Sequence, residues 1–364
     1  MPHPHRTYNF GAGPATLPLE VMTRIQDEFL NFQGLGASVI EISHRSSQFQ
    51  EIVNRACQRF TRLAKLPSTH KPIFVSGGAR MQFAAIPMNI MDRGEETLAH
   101  YVVSGIFSGA AAKEAARYGK VDILASSEAS KFRTVPSIDV DKINEKASYL
   151  HITGNNTIYG TSWQTLPDTK GVPLVIDATS NVLSCEMDYS KIGLLYAGFQ
   201  KNLGPSGTSL VVIKEDLLDY CRKDTPSILD YRTLVDSHSL ANTPNTFAIY
   251  VMELVLEWLE NNGGMAAQEK RNLEKARLIY EAIDASDYYT GHAHKNHRSI
   301  MNATFNLPTE ADEARFLDEA NKAGLYALKG HRALGGIRAS LYNPMPKEGV
   351  EALCDFMRDF EKRA

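Results

Sequence analysis

VPLVIDATSNVLSCEMDYSKIGLLYAGFQKNLGPSGTSLVVI, Val172–Ile213, is the stretch whose reading decides the fold. Within it VPLVID (Val172–Asp177), GLLYAG (Gly193–Gly198) and SLVVI (Ser209–Ile213) are almost continuously apolar. That is the pattern of short strands buried on both faces of a largely parallel sheet, which needs helices on either side. Two ionisable residues punctuate the runs at their carboxyl ends: Asp177 closes the first, and Lys201 follows the second between Phe199 and Leu203.

Working outward, KPIFV (Lys71–Val75), KVDIL (Lys120–Leu124) and SYLHI (Ser148–Ile152) repeat the pattern, separated by helix-like segments. An α/β domain follows, with a mostly parallel, seven-stranded-type sheet flanked by helices. Thr243 and Pro244 read as a helix start. The segment behind them, FAIYVMELVLEWLE (Phe247–Glu260), is apolar nearly all round, with Glu253, Glu257 and Glu260 at i, i+4, i+7. This predicts a mostly buried helix with one narrow wet stripe, closed by Gly263 and Gly264. Beyond it come a charged helix (Gln268–Ile283), a strand-like SIMNATFNL (Ser299–Leu307), a helix from Thr309 to Gly324, short strands in LYALK and GIRASLY, and a last helix (Lys347–Lys362). These predict a smaller α+β C-terminal domain. The expected division is a large domain at 16–260 and a small one formed by 1–15 plus 261–364.

Composition excludes several function classes. The 364 residues carry 39 Lys+Arg and 42 Asp+Glu, a net charge of −3, which speaks against nucleic-acid or anionic-membrane partners. No apolar run approaches the roughly 20 residues needed to cross a bilayer, and MPHPHRTYNF has no apolar signal core, so the expected compartment is the cytoplasm. Four scattered cysteines (Cys57, Cys185, Cys221, Cys354) read as reduced thiols. The string His292, His294, His297 lacks a carboxylate partner, and no metal is expected. There is no GxxxxGK, and GAGPAT and GLGASV are too weak to support a nucleotide site.

Three features at strand ends carry chemistry when taken together. FVSGGARMQFAAI (Phe74–Ile86) turns through Gly77 and Gly78 into a helix, a place where backbone amides approach a phosphate. Asp177 alone reads as a turn former; it could instead face a heteroaromatic cation through a charge-assisted bond. Lys201, partly desolvated, would keep a lowered pKa and a nucleophilic amine. A phosphate cup, a carboxylate and such a lysine on one rim form the minimum set for pyridoxal phosphate.

On the strings EISHRSSQF, GGARMQFAAIP, YAGFQKNLGPSG, SILDY, NTPNTFAIY and ALKGHRALGGIRASLYNPMP, the chain resembles the phosphoserine aminotransferase family, pyridoxal-phosphate enzymes of fold type I, nearly end to end. The resemblance implies that Lys201 carries the cofactor as an imine and that Asp177 pairs with its pyridine nitrogen. It implies that Ala79, Arg80 and Gln200 lie at the cofactor phosphate, joined by Asn242 and Thr243 of a second subunit, and that Thr157 contacts the phenolic-oxygen side. The ring-stacking position falls on Phe107, where the bacterial pattern often has Trp. Arg338, which alternates off the core face of GIRASLY, is implied to hold the substrate α-carboxylate. His44, Arg45, Arg80, His331 and Arg332 are implied to bind the substrate phosphate. Ala12 stands where some relatives have a serine touching glutamate.

The implied substrates are L-glutamate with 3-phosphooxypyruvate, giving 2-oxoglutarate and O-phospho-L-serine. Phosphohydroxythreonine of pyridoxine synthesis is a further candidate, and a homodimer with interfacial sites is expected. Two alternatives stay open: another aminotransferase or lyase on this scaffold, such as an alanine–glyoxylate type, or a catalytically silent binding protein.

Overall fold

The structure, a computed structural model, describes residues 6–93 and 96–363. Of the expected small domain, residues 1–5 and 364 lie outside the described residues. The chain opens with strand β1 (Tyr8–Asn9), helix α1 (Leu19–Glu28) and helix α2 (Ser47–Ala64). Strand β2 (His70–Ser76) leads through a tight turn into α3 (Gln82–Ile90). There follow β3 (Leu98–Val103), α4 (Ile106–Ala115), β4 (Lys120–Ser126), β5 (Tyr149–Thr153), β6 (Leu174–Asp177), β7 (Leu194–Gly198) and β8 (Thr208–Lys214).

Strands β2 to β8 form one sheet in the order β2-β8-β7-β6-β5-β3-β4. Every pairing is parallel except those of β8, which runs against both β2 and β7. The cause is the connection between β7 and β8, residues 199–207, which is shorter than the dozen or so residues a parallel crossover needs. The chain has to double back, and Lys201 lies in that return.

Side chains alternate to the two covered faces, as strand geometry requires. Leu150, Ile152, Leu174, Ile176, Leu195 and Ala197 pack on the side of α2, while Tyr149, Val175, Leu194 and Tyr196 pack against α3 and α4. Strand β3 was not among the strands expected from the sequence. Its run LAHYVV carries His100 in the middle, yet five of its six residues are buried, with the His100 ring accepting from the Asn144 amide at 3.0 Å.

After α5 (Tyr231–Asp236), α6 spans Thr246–Asn261. It starts later than Thr243–Pro244 suggested, because Asn245 is the cap and accepts from the Ala248 amide at 3.0 Å. The three glutamates of α6 do not form the wet stripe expected of them. Glu253 is 2% exposed and accepts from Arg55 and Arg59, each at 3.1 Å. Glu257 pairs with Arg59 and Arg24, and Glu260 with Arg59 and Arg62. Arg55, Arg59 and Arg62 share the i, i+4, i+7 spacing on α2, so an acidic line docks onto a basic one.

Gly263, at φ +90°, turns the chain directly into α7 (Gly264–Asp284). Beyond it β9 (Thr290–Gly291), β10 (Asn302–Asn306) and the later β12 (Ile337–Ser340) make an antiparallel sheet in the order β12-β10-β9. Between them lie α8 (Glu310–Lys322), capped by Thr309, and β11 (Leu325–Tyr326), and α9 (Lys347–Glu361) ends the chain. LYALK is extended for only two residues before Ala327 adopts φ +63°. Strand β11 pairs in parallel with β1, so the N-terminal segment joins this C-terminal unit. A separate apolar core centred on Phe305, Phe316, Leu353 and Met357 holds it together. Among the described residues no helix is long and apolar enough to cross a membrane.

Candidate active site

The carboxyl ends of β2, β3, β5, β6 and β7 open onto one cavity of about 360 Å³. It is lined from those ends by Gly78, Ala79 and Arg80, then Phe107, then Thr153, Asn155 and Thr157, then Asp177 and Thr179, then Gln200 and Lys201. The far wall comes from Ala12 and Gly13 of the N-terminal segment and from His331 and Arg338 of the C-terminal unit. A crevice at the carboxyl edge of an open α/β sheet is where that architecture places ligands.

Lys201 is 8% exposed, and its Nζ donates to Thr157 Oγ1 at 2.6 Å. Burial pulls its pKa down to about 8; Asp177 opposes the shift and the Arg338 charge adds to it. The neutral, nucleophilic amine is therefore a minority of about a tenth at pH 7, far more than an exposed lysine offers, and it becomes the major form above about pH 8. Asp177 is the one carboxylate among the lining residues. Its Oδ1 accepts from the Thr179 amide at 2.9 Å, the turn-forming role, while the buried carboxylate also fronts the cavity.

The backbone is shaped around these two groups. Gly13, at φ +134°, brings the N-terminal segment so near that a Cβ there would lie 3.4 Å from Cγ of both Gln200 and Lys201. Gly105 caps α4 where a Cβ would meet Asn156 Nδ2 at 2.1 Å, and that close approach places Phe107, 40% exposed, at the cavity. At the opposite end Ala79–Met81 form a single tight turn before α3. The first amides of such a turn have no partner within it, and Arg80 stands among them.

Arg338 is half-buried and, among the described residues, donates to the Thr157 carbonyl alone, at 3.4 Å; burial lowers its pKa. Among the described residues neither Arg338 nor Arg80 forms an ion pair with a carboxylate. His331 Nδ1 accepts from the Ala333 amide at 3.2 Å, which leaves Nε2 as the ring's N–H. Burial, then Arg338 and Arg332, depress the His331 pKa, so its second proton waits for an anion. The cavity thus offers cations in search of an anionic ligand, a nucleophilic amine and one carboxylate.

The single chain brings together Lys201, Asp177, Ala79, Arg80, Phe107, Thr157, Gln200, His331 and Arg338. It does not bring Asn242, Thr243, His44, Arg45 or Arg332 to the cavity wall. Asn242 donates to Ser76 Oγ at 3.4 Å behind the tight turn, and Thr243 is exposed. His44 and Arg45 precede α2, and His44 Nε2 is buried without a hydrogen-bond partner. Thr153, Asn155, Thr179 and Ser180 line the cavity but were not expected. Their signal lies in sheet register: Thr153 stands opposite Asp177 in the β5–β6 pair. Thr153 Oγ1 and Gln200 Oε1 are also buried without a partner.

The sequence profile of one family, Aminotransferase class-V, matches residues 7–353. The chain belongs to the class-V aminotransferases. It is similar to the phosphoserine aminotransferase of Desulfosudis oleivorans, 50% identical over 359 residues that cover 98% of each chain. Among solved structures it resembles the phosphoserine aminotransferase of Bacillus circulans subsp. alkalophilus, with TM-score 0.95 and 44% identity over 98% of this chain and 99% of that one. A pyridoxal-phosphate-bound phosphoserine aminotransferase from Trichomonas vaginalis superposes with TM-score 0.92 and 37% identity, over 97% of this chain and 100% of its own. The seven-stranded sheet and smaller α+β unit of this class-V aminotransferase are thus the architecture of known aminotransferases.

Proposed function

We propose that this class-V aminotransferase is a pyridoxal-phosphate-dependent phosphoserine aminotransferase. Its reaction is L-glutamate plus 3-phosphooxypyruvate giving 2-oxoglutarate plus O-phospho-L-serine, a step of serine biosynthesis. The observation that carries the reading is a wall of two unpaired guanidiniums, Arg338 and Arg80, with the protonatable His331 beside them, facing a buried amine and a single carboxylate.

The residues present fit the cofactor. A buried lysine suits its aldehyde, the Asp177 carboxylate its ring N–H, and the amides and Arg80 of the tight turn its phosphate. The partnerless Gln200 Oε1 and Thr153 Oγ1 leave polar atoms that a bound group can satisfy. Phe107 offers an aromatic face for stacking. When bound, pyridoxal phosphate supplies a carbonyl carbon that holds an amino group and a ring that accepts electrons.

The chain's own residues do the rest. Arg338 fixes the substrate α-carboxylate as a bidentate fork, which leaves the Cα–H toward Lys201. Lys201 Nζ, held in place by its bond to Thr157 Oγ1, would take the α-proton; burial, which pulls its pKa down to about 8, makes it a base matched to near-neutral pH. Asp177 keeps a proton on the ring nitrogen. His331 gains its proton when a phosphate dianion arrives, so one pocket accepts both that group and the γ-carboxylate of glutamate.

Asn242 and Thr243 belong to this reading as contributions from a second copy, and His44, Arg45 and Arg332 as further groups for the substrate phosphate. The protein is accordingly a homodimer with sites at its interface, and it works in the cytoplasm. Residues 16–260 are the cofactor unit, and 1–15 with 261–364 the smaller one.

Borohydride reduction followed by peptide mass spectrometry tests the assignment. The wild-type protein should carry the cofactor's mass on the Lys201 peptide, and Lys201→Ala should carry none and not transaminate. Normal turnover by Lys201→Ala would sink the reading.

A further inference from the structure

Asp177 ends β6 and Lys201 lies in the loop after β7, and their chemistry depends on the spacing between them. One face of α7 holds the segment after Asp177 directly and the Lys201 loop through Asn343. Gln268, Asn272 and Lys275 recur at i, i+4, i+7 and are each at most 2% exposed. Asn272 Nδ2 donates to the Ser184 carbonyl at 2.8 Å, in the segment that leaves Asp177, and to Asn343 Oδ1 at 2.9 Å. Asn343 Nδ2 donates to the Leu183 carbonyl at 2.7 Å. The Asn343 amide donates to Oδ1 of Asn202, the residue after Lys201, at 3.0 Å, and Asn202 Nδ2 donates back to the Val182 carbonyl at 2.9 Å. Residues 182–184, 202 and 343 are therefore one closed polar circuit.

Lys275 holds the circuit's outer end. Its Nζ donates to the carbonyls of Leu341, Tyr342 and Met345, at 2.9, 2.9 and 3.1 Å, and so clasps the turn that presents Asn343. Burial, and then the Arg271 charge, lower its pKa to about 7. The clasped Tyr342 in turn donates to the Ala12 carbonyl at 2.9 Å, on the cavity's far wall. None of these side chains lines the cavity except through its neighbours, and nothing in the proposed reaction uses them.

We infer that Asn202 and Asn343, braced by Asn272 and Lys275, are positioning residues that set Lys201 against Asp177. The inference rests on the proposed role of Lys201. A rigid polar circuit suits the task because each donor and acceptor is matched, so a shift of either loop leaves a buried group unpaired.

The test uses the holoenzyme and the variants Asn202→Ala, Asn202→Asp and Asn343→Ala. Visible circular dichroism of the bound cofactor, kcat and KM for phosphoserine, and the thermal midpoint are read on each. Asn202→Ala should lose on the order of tenfold or more in kcat with KM within about twofold, and should change the visible dichroism. Asn202→Asp keeps the acceptor for the Asn343 amide and should fall between the two. If Asn343→Ala does not fold, the Asn202 pair carries the test. Phe316→Leu in the C-terminal core is the control; it should lower the thermal midpoint without altering the visible dichroism. Variants that fold with wild-type kcat and dichroism overturn the inference. Absence of cofactor on wild-type Lys201 after borohydride reduction would instead overturn the reading beneath it.

Discussion

Replacing Lys201 by Met in the cofactor-free protein should make it more stable. The lysine's pKa falls from 10.5 to about 8 on folding, chiefly through burial. A difference of 2.5 at about 1.4 kcal/mol per unit is roughly 3 kcal/mol of penalty for keeping the ammonium buried. Losing the bond to Thr157 Oγ1 gives back about 1 kcal/mol, so methionine, of similar length, should gain about 2 kcal/mol at pH 7. The sign has a further consequence. The folded state sheds its proton before the unfolded one, so the penalty is complete below about pH 8 and fades as pH rises toward 10.5. Urea unfolding of both cofactor-free proteins at pH 7 and pH 10 measures the difference: clear at pH 7, nearly closed at pH 10. A methionine variant less stable than wild type at pH 7, or a gap independent of pH, would refute the reasoning.

The same titration governs reconstitution. Capture of pyridoxal phosphate by cofactor-free protein needs the neutral amine, and its rate should rise with an inflection near pH 8; a rate flat from about pH 6.5 to 9 contradicts this. Glu253→Ala strips the α2–α6 interface of the buried carboxylate shared by Arg55 and Arg59 and should cost about 2 kcal/mol in urea unfolding, since Arg59 keeps Glu257 and Glu260; an unchanged midpoint would show the pairs to be surface ornaments. Phe107→Ala should release the cofactor about tenfold faster, whereas Phe107→Trp should stay within about twofold. Equal release by the two variants would remove the stacking role.

Much of this molecule is legible without coordinates because its chemistry sits at the ends of apolar strands. Asp177 and Lys201 stand out as charges where a buried run stops, and parallel strands put such ends on one rim. What escapes is whatever depends on partners far along the chain. Glu253 looks like a solvent stripe until Arg55, 198 residues away, covers it. Strand β3 hides behind a mid-strand histidine whose acceptor nitrogen meets a distant amide. Thr153, Asn155 and Ser180 are ordinary polar residues until register sets them beside Asp177. His44, Arg45 and Thr243 bear the opposite lesson: family likeness gathers them into one site that a single chain does not assemble.

The central claim is that the cationic wall selects a phosphorylated amino acid. A coupled assay measures it most directly by comparing phosphoserine with alanine as amino donor to 2-oxoglutarate at equal concentrations. Phosphoserine should be favoured in kcat/KM by about a hundredfold or more, the equivalent of roughly 3 kcal/mol for charge-assisted bonds to the phosphate. Alanine turning over as well as phosphoserine would contradict the account.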